Sequence, residues 1–171
     1  MRDYACIMLE YDMPEFVKEL QKSIPEEELY LGKTEKEKDD YGIENKAHIT
    51  LVYGLDNKVE FKDFKQYLSP LNDYKTILVN ISTFSNDDFD VLKVGAKCPK
   101  AAESNKEIME NFDVHTDFDE YIPHMTIAYL KKGFVNKYTK DMLNKIDTIK
   151  PFGFNYSYFK DGEDKNEYHK E

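Results

Sequence analysis

The chain has 171 residues, 40% of them hydrophobic, contains Tyr and Phe but no Trp, and carries a formal net charge of -10. That length suits one domain, or two small lobes on one core. The acidity excludes a long nucleic acid as ligand, since such binding draws its affinity from many Lys/Arg–phosphate contacts, but it leaves room for a ligand carrying one to a few phosphates. No apolar run approaches the ~20 residues of a membrane span, and Met1-Arg2-Asp3-Tyr4 leads into a strand-like segment rather than a signal peptide. A soluble, cytoplasmic protein without membrane association is expected; the sequence is silent on oligomeric state. Cys6 and Cys98 form no Cys-x-x-Cys, and Cys6 within Ala5-Cys6-Ile7-Met8-Leu9 reads as a buried thiol in a reducing compartment.

In chain order, Tyr4–Glu10 is short and apolar, a buried strand. Asp12-Met13-Pro14 opens a helix whose stripe is Phe16, Val17, Leu20 and Ile24. Residues 25–46 are densely charged and read as a solvated, mobile loop, with a lid over the site as the alternative. Strands are predicted over 47–53, 77–84, 89–96, 124–130 and 152–159, and helices over 61–68, 101–112 and 135–146. The charged tail from Asp161 is expected to fray. The whole predicts an α+β fold, spanning 1–171, of two pseudo-symmetric lobes of antiparallel sheet with flanking helices around a central cleft.

Two segments, 47–53 and 123–129, read A-H-I-T-L-V-Y and P-H-M-T-I-A-Y. With four histidines and eight threonines in the chain, two His-x-Thr tripeptides arise by chance about once in a hundred such sequences. On a strand, residues i and i+2 share a face, so His48 and Thr50 project together, as do His124 and Thr126. By the same parity Tyr53 and Tyr129 point away from the histidines, into the core, unless a bulge intervenes. An imidazole titrates near neutrality, so one of the pair can accept a proton while the other donates one, and the threonine hydroxyls can hold phosphate oxygens. His115 and His169 sit in charged surroundings and read as solvated. The sequence contains no His-Glu-x-x-His, Cys/His cluster, phosphate-binding glycine loop or nucleophile elbow, and no metal or cofactor is expected.

The motifs His48-Ile49-Thr50-Leu51 and His124-Met125-Thr126-Ile127 resemble those of the 2H phosphoesterase superfamily, the 2′-5′ RNA ligase-like proteins. The resemblance implies a metal-independent phosphodiesterase, with His48 and His124 as acid and base and Thr50 and Thr126 on phosphate. Small size, acidity and the Thr-Leu-Val-Tyr-Gly-Leu run are similar to the phage anti-CBASS nuclease branch, which implies opening of small cyclic oligonucleotide immune signals in a host cytoplasm. The alternatives are an RNA-end enzyme acting on 2′,3′-cyclic phosphate or 2′-5′ linkages, and a nucleotide-binding sponge that does not turn over its ligand. Which histidine is acid and which base stays open. Base recognition needs stacking surfaces, for which Tyr11, Tyr158 and Phe159 are the candidates, and Lys58, Lys131 and Lys132 follow the motif strands.

Overall fold

The computed structural model describes residues 4–116, 118–139 and 147–170. Eight strands form one antiparallel sheet: β1 (Tyr4–Glu10), β2 (His48–Asp56), β3 (Thr76–Ser85), β4 (Asp90–Lys97), β5 (His124–Leu130), β6 (Asp147–Ile149), β7 (Gly153–Lys160) and β8 (Glu163–His169). Their order is β6-β3-β4-β5-β2-β1-β7-β8. It divides into two four-stranded halves that meet at β2 and β5, the motif strands. The expected α+β class and doubled antiparallel architecture are therefore present.

One face of the sheet is closed by helices α1 (Glu15–Lys22) and α3 (Pro99–Asn111) and the single turn α2 (Phe61–Phe64). Val17 and Leu20 of α1 and Ala101 and Ile108 of α3 share one core with Ile7, Leu9, Ile49, Val94, Met125 and Phe154. Fully burying a side chain of this kind contributes about 1.5–3 kcal/mol, so this face anchors the motif strands from beneath. No described helix is long and apolar enough to cross a membrane. Cys6 and Cys98 are both buried.

Three expectations need correction. Residues 25–46 are only in part a solvated loop: 33–40 are largely exposed, but the flanking ends lie along β5, with Leu29 bridging Leu130 and Ile43 bridging Ala128. Backbone bonds run from Tyr30 N–H to the Tyr129 carbonyl and from Tyr129 N–H to the Gly42 carbonyl. β5 offers that edge because it pairs with β2 at a single residue pair, and an unpaired strand edge is a template for further pairing. Buried Glu28 anchors the segment by accepting the Tyr138 hydroxyl at 2.8 Å and pairing with Lys137. The tail does not fray, because Asp161 and Gly162, both at positive φ, turn β7 into β8. His169 thereby stacks on Phe61, with centroids 3.5 Å apart, instead of sitting in solvent. The predicted helix over 135–146 is a short 3-10 turn at Val135–Tyr138; its remainder lies mostly outside the described residues.

Candidate active site

β2 and β5 meet at Ile49 and Met125, both fully buried on the helix-covered face. Extending that antiparallel register sets His48 across from Thr126 and Thr50 across from His124. By strand parity the four motif residues thus belong to the opposite face, where the His48 and His124 rings are near enough for their charges to interact. Both rings are oriented alike. The Nδ1 of His48 lies 2.9 Å from the Lys46 carbonyl oxygen and that of His124 3.0 Å from the Ile122 carbonyl oxygen. An Nδ1–H donating there leaves each Nε2 free to accept or deliver a proton. Burial pushes the His124 imidazole below its usual titration range, the nearby Lys93 and His48 charges push the same way, and the Ile122 carbonyl opposes them.

Each motif strand carries a bulge directly after its threonine. In β2, Met8 pairs Thr50 but Ile7 pairs Val52, so Leu51 is the extra residue. In β5, Lys93 pairs Thr126 but Leu92 pairs Ala128, so Ile127 is the extra residue. A helix amide takes the carbonyl of each extra residue: Asn105 of α3 donates to Leu51 at 2.8 Å, and Gln21 of α1 donates to Ile127 at 3.0 Å. An extra residue reverses the facing of all that follows. Tyr53 and Tyr129 consequently share the histidine face, correcting the parity expectation that placed them in the core. Tyr53 is 52% exposed, beside a pocket of about 440 Å³ lined also by Tyr4, His115, Thr116 and Phe118. Tyr129 is half-buried and packs edge-on against Tyr41 and Phe89.

The proposed stacking residues are placed elsewhere. Tyr11 is 3% exposed, its hydroxyl bonded to Thr76 at 2.7 Å, and burial raises its pKa. Tyr158 lies on the helix-covered side, stacked on Tyr156 and donating to Glu167. Both sit on the wrong side of the sheet because their strand parity matches the core residues. Phe159 has the right parity but lies six residues along β7 from Gly153, the residue level with His48 through Glu10, or about 20 Å away. The exposed aromatics on the motif face are instead Tyr53, Phe84 and Tyr168; the Phe84 ring centroid lies 6.3 Å from that of His124. Lys131 and Lys132 sit beyond the far end of β5, held by the Glu27 carbonyl and by Asp90, while Lys58 lies in the turn after β2.

Two charged residues at the site escaped the sequence reading. Lys93, mid-β4, faces outward across from Thr126. Glu10, the last residue of β1, stands across from His48 and is 8% exposed. A lysine within the apolar run Val91-Leu92-Lys93-Val94 was the available signal for the first. Among the described residues no group of three or more His, Cys, Asp or Glu is arranged to hold a metal ion.

The fold is shared with several solved structures. Kluyveromyces marxianus Usb1 matches at a TM-score of 0.56 and 10% identity, over 96% of this chain and 97% of that one. E. coli LigT complexed with 3′-AMP matches at a TM-score of 0.51 and 15% identity, over 98% of this chain and 95% of that one. The Usb1 structure with uridine monophosphate matches at 0.51 and 8% identity, with 96% and 97% covered. No family model matches the sequence, and no curated protein matches it significantly.

Proposed function

We propose that the chain is a metal-independent phosphodiesterase of the two-histidine type, acting on short nucleotides, with small cyclic oligonucleotide signals as its substrate class. The observation that carries this reading is the pairing at Ile49 and Met125, which gathers both His-x-Thr motifs on one face with both Nε2 atoms free. In the reaction, a ribose 2′-hydroxyl attacks the adjacent phosphorus and passes its proton to the neutral imidazole. The bond from phosphorus to the 5′-oxygen breaks, and that oxygen keeps the electron pair and takes a proton from the cationic imidazole. A 2′,3′-cyclic phosphate and a free 5′-hydroxyl result. Thr50 and Thr126 hold the non-bridging oxygens as charge develops on them. Exposed Tyr53 and Phe84 flank the cluster and offer rings to nucleobases.

The net charge of -10 supports a small ligand over a long strand. Cleavage of cyclic immune signals by a phage-encoded enzyme in a host cell is the corresponding biological reading. The second reading, RNA-end processing, draws its support from the neighbours solved with 3′-AMP and uridine monophosphate. Product analysis on 3′,3′-cyclic dinucleotides, cyclic trinucleotides, linear 2′-5′ oligoadenylate and a 2′,3′-cyclic mononucleotide separates the readings. Ring opening is the expected result. Turnover of only the linear or terminally cyclic substrates moves the assignment to RNA ends, and recovery of an intact bound ligand makes the protein a sponge.

A further inference from the structure

The two motifs are near copies, but the strands beside them are not. Across from Thr126 stands Lys93; at the equivalent place, across from Thr50, stands Met8. Across from His48 stands Glu10; at the equivalent place, across from His124, stands Gly95. One half of a doubled site is therefore flanked by an ammonium and the other by a carboxylate.

Lys93 is half-buried, and among the described residues its polar partner is the Ser82 hydroxyl at 3.0 Å. No described carboxylate pairs with it, although the chain holds 34 acidic residues to 24 basic ones. Burial lowers its pKa, a sign that its charge lacks compensation. An ammonium so placed, beside a threonine hydroxyl and a histidine, is completed by an anion.

We infer that Lys93 binds the scissile phosphate from the His124 half and thereby makes His124 the proton acceptor, which leaves His48 as the donor. The assignment rests on the reaction proposed above. The charged groups acting on His124 are Lys93 from β4 and His48 from β2; in the strand register Glu10 of β1 is level with His48, and exposed Lys46 is drawn off towards the Tyr168 hydroxyl. A positive charge beside His124 disfavours a second one there. The nucleoside whose 2′-hydroxyl attacks then lies towards His124, and the leaving 5′-oxygen lies towards His48. After one turnover His124 holds the proton and His48 lacks one, and exchange with water restores the pair.

The test uses the full chain with labelled histidines, inorganic phosphate as the probe, and the variants K93M and K93R. In K93M the His124 titration midpoint should rise by about half a pH unit or more, as expected for losing one neighbouring charge at partial exposure. Phosphate affinity should fall about threefold or more, consistent with losing one charge-assisted contact. K93R should retain both wild-type values, which separates charge from packing. A folded K93M protein that keeps the wild-type midpoint or the wild-type phosphate affinity overturns the proposal. These readouts need no turnover, so failure here and failure of the substrate assay are distinguishable. In the pH dependence of kcat/KM, K93M should move the acidic limb upward, because that limb reports the base; a shift of the basic limb instead overturns the assignment of roles.

Discussion

Asn105→Ala tests whether the bulge in β2 is held in place from the helix side. The Asn105 amide, 8% exposed, donates 2.8 Å to the carbonyl of the extra residue Leu51. Truncation removes that bond and leaves a desolvated carbonyl behind it, a loss of about 1–3 kcal/mol. For a chain of this size each kcal/mol lowers Tm by about 2–4 °C, so a fall of about 2–12 °C is expected. Asn111→Ala is the matched control, since its amide donates 2.7 Å to the Glu107 carbonyl on the exposed side of the same helix. That variant should stay within about 0.5 kcal/mol of wild type. Urea unfolding of the three proteins, with kcat/KM measured alongside, makes the comparison. Because the bulge sets the facing of Tyr53, Asn105→Ala should also lose more kcat/KM than Asn111→Ala. Equal stability losses in the two variants, or an Asn105→Ala protein as stable as wild type, would refute the reasoning.

Gly54→Ala should destabilise far more than Gly133→Ala. Both glycines hold a positive φ, 100° and 95°, but a Cβ on Gly54 would lie 2.0 Å from the His115 carbonyl oxygen, whereas one on Gly133 meets nothing within 4 Å. Backbone strain alone amounts to about 1–3 kcal/mol, and the excess at Gly54 measures the close approach; equal losses in thermal unfolding would contradict this. Thr50→Ala and Thr126→Ala should each lower kcat by about ten- to a thousandfold, with little change in stability, as expected for a lost transition-state hydrogen bond; unchanged rates would remove the threonines from the mechanism. The lowered His124 pKa has a stability consequence. As pH falls, the unfolded chain protonates this histidine first, so the contribution of the neutral buried ring is full above its unfolded value of about 6.5 and fades below it. Wild type should therefore lose more stability between pH 7.5 and 5.5 than His124→Gln, and an equal loss in urea titrations would count against a buried neutral ring.

Much of the site was legible because it is local. A His-x-Thr on a strand places two side chains on one face, and two similar copies at equivalent points of two halves suggest a shared seam. The residues that were misread depend on non-local pairing. Tyr53 and Tyr129 change face through bulges at Leu51 and Ile127, and a bulge shows only in the register with a neighbouring strand. Glu10 and Lys93 reach the site from β1 and β4 through strand order, which no segment encodes alone. Charge density over 25–46 suggested solvation, which holds for 33–40, but the free edge of β5 draws in the flanking residues with backbone hydrogen bonds. Tyr11 follows the first strand and Tyr158 lies on the long closing one, but parity with the core turns both away from the motif face.

The central claim is that His48 and His124 act as one acid–base pair. Its most direct test is the pH dependence of kcat/KM, in chelator, on whichever substrate the product assay selects, for wild type, His48→Ala and His124→Ala. A bell in wild type is predicted, with each variant slowed by about 10²–10⁴ and lacking one limb, the acidic limb in His124→Ala and the basic limb in His48→Ala. A wild-type profile without a bell, or a variant with an undiminished rate, would contradict the account.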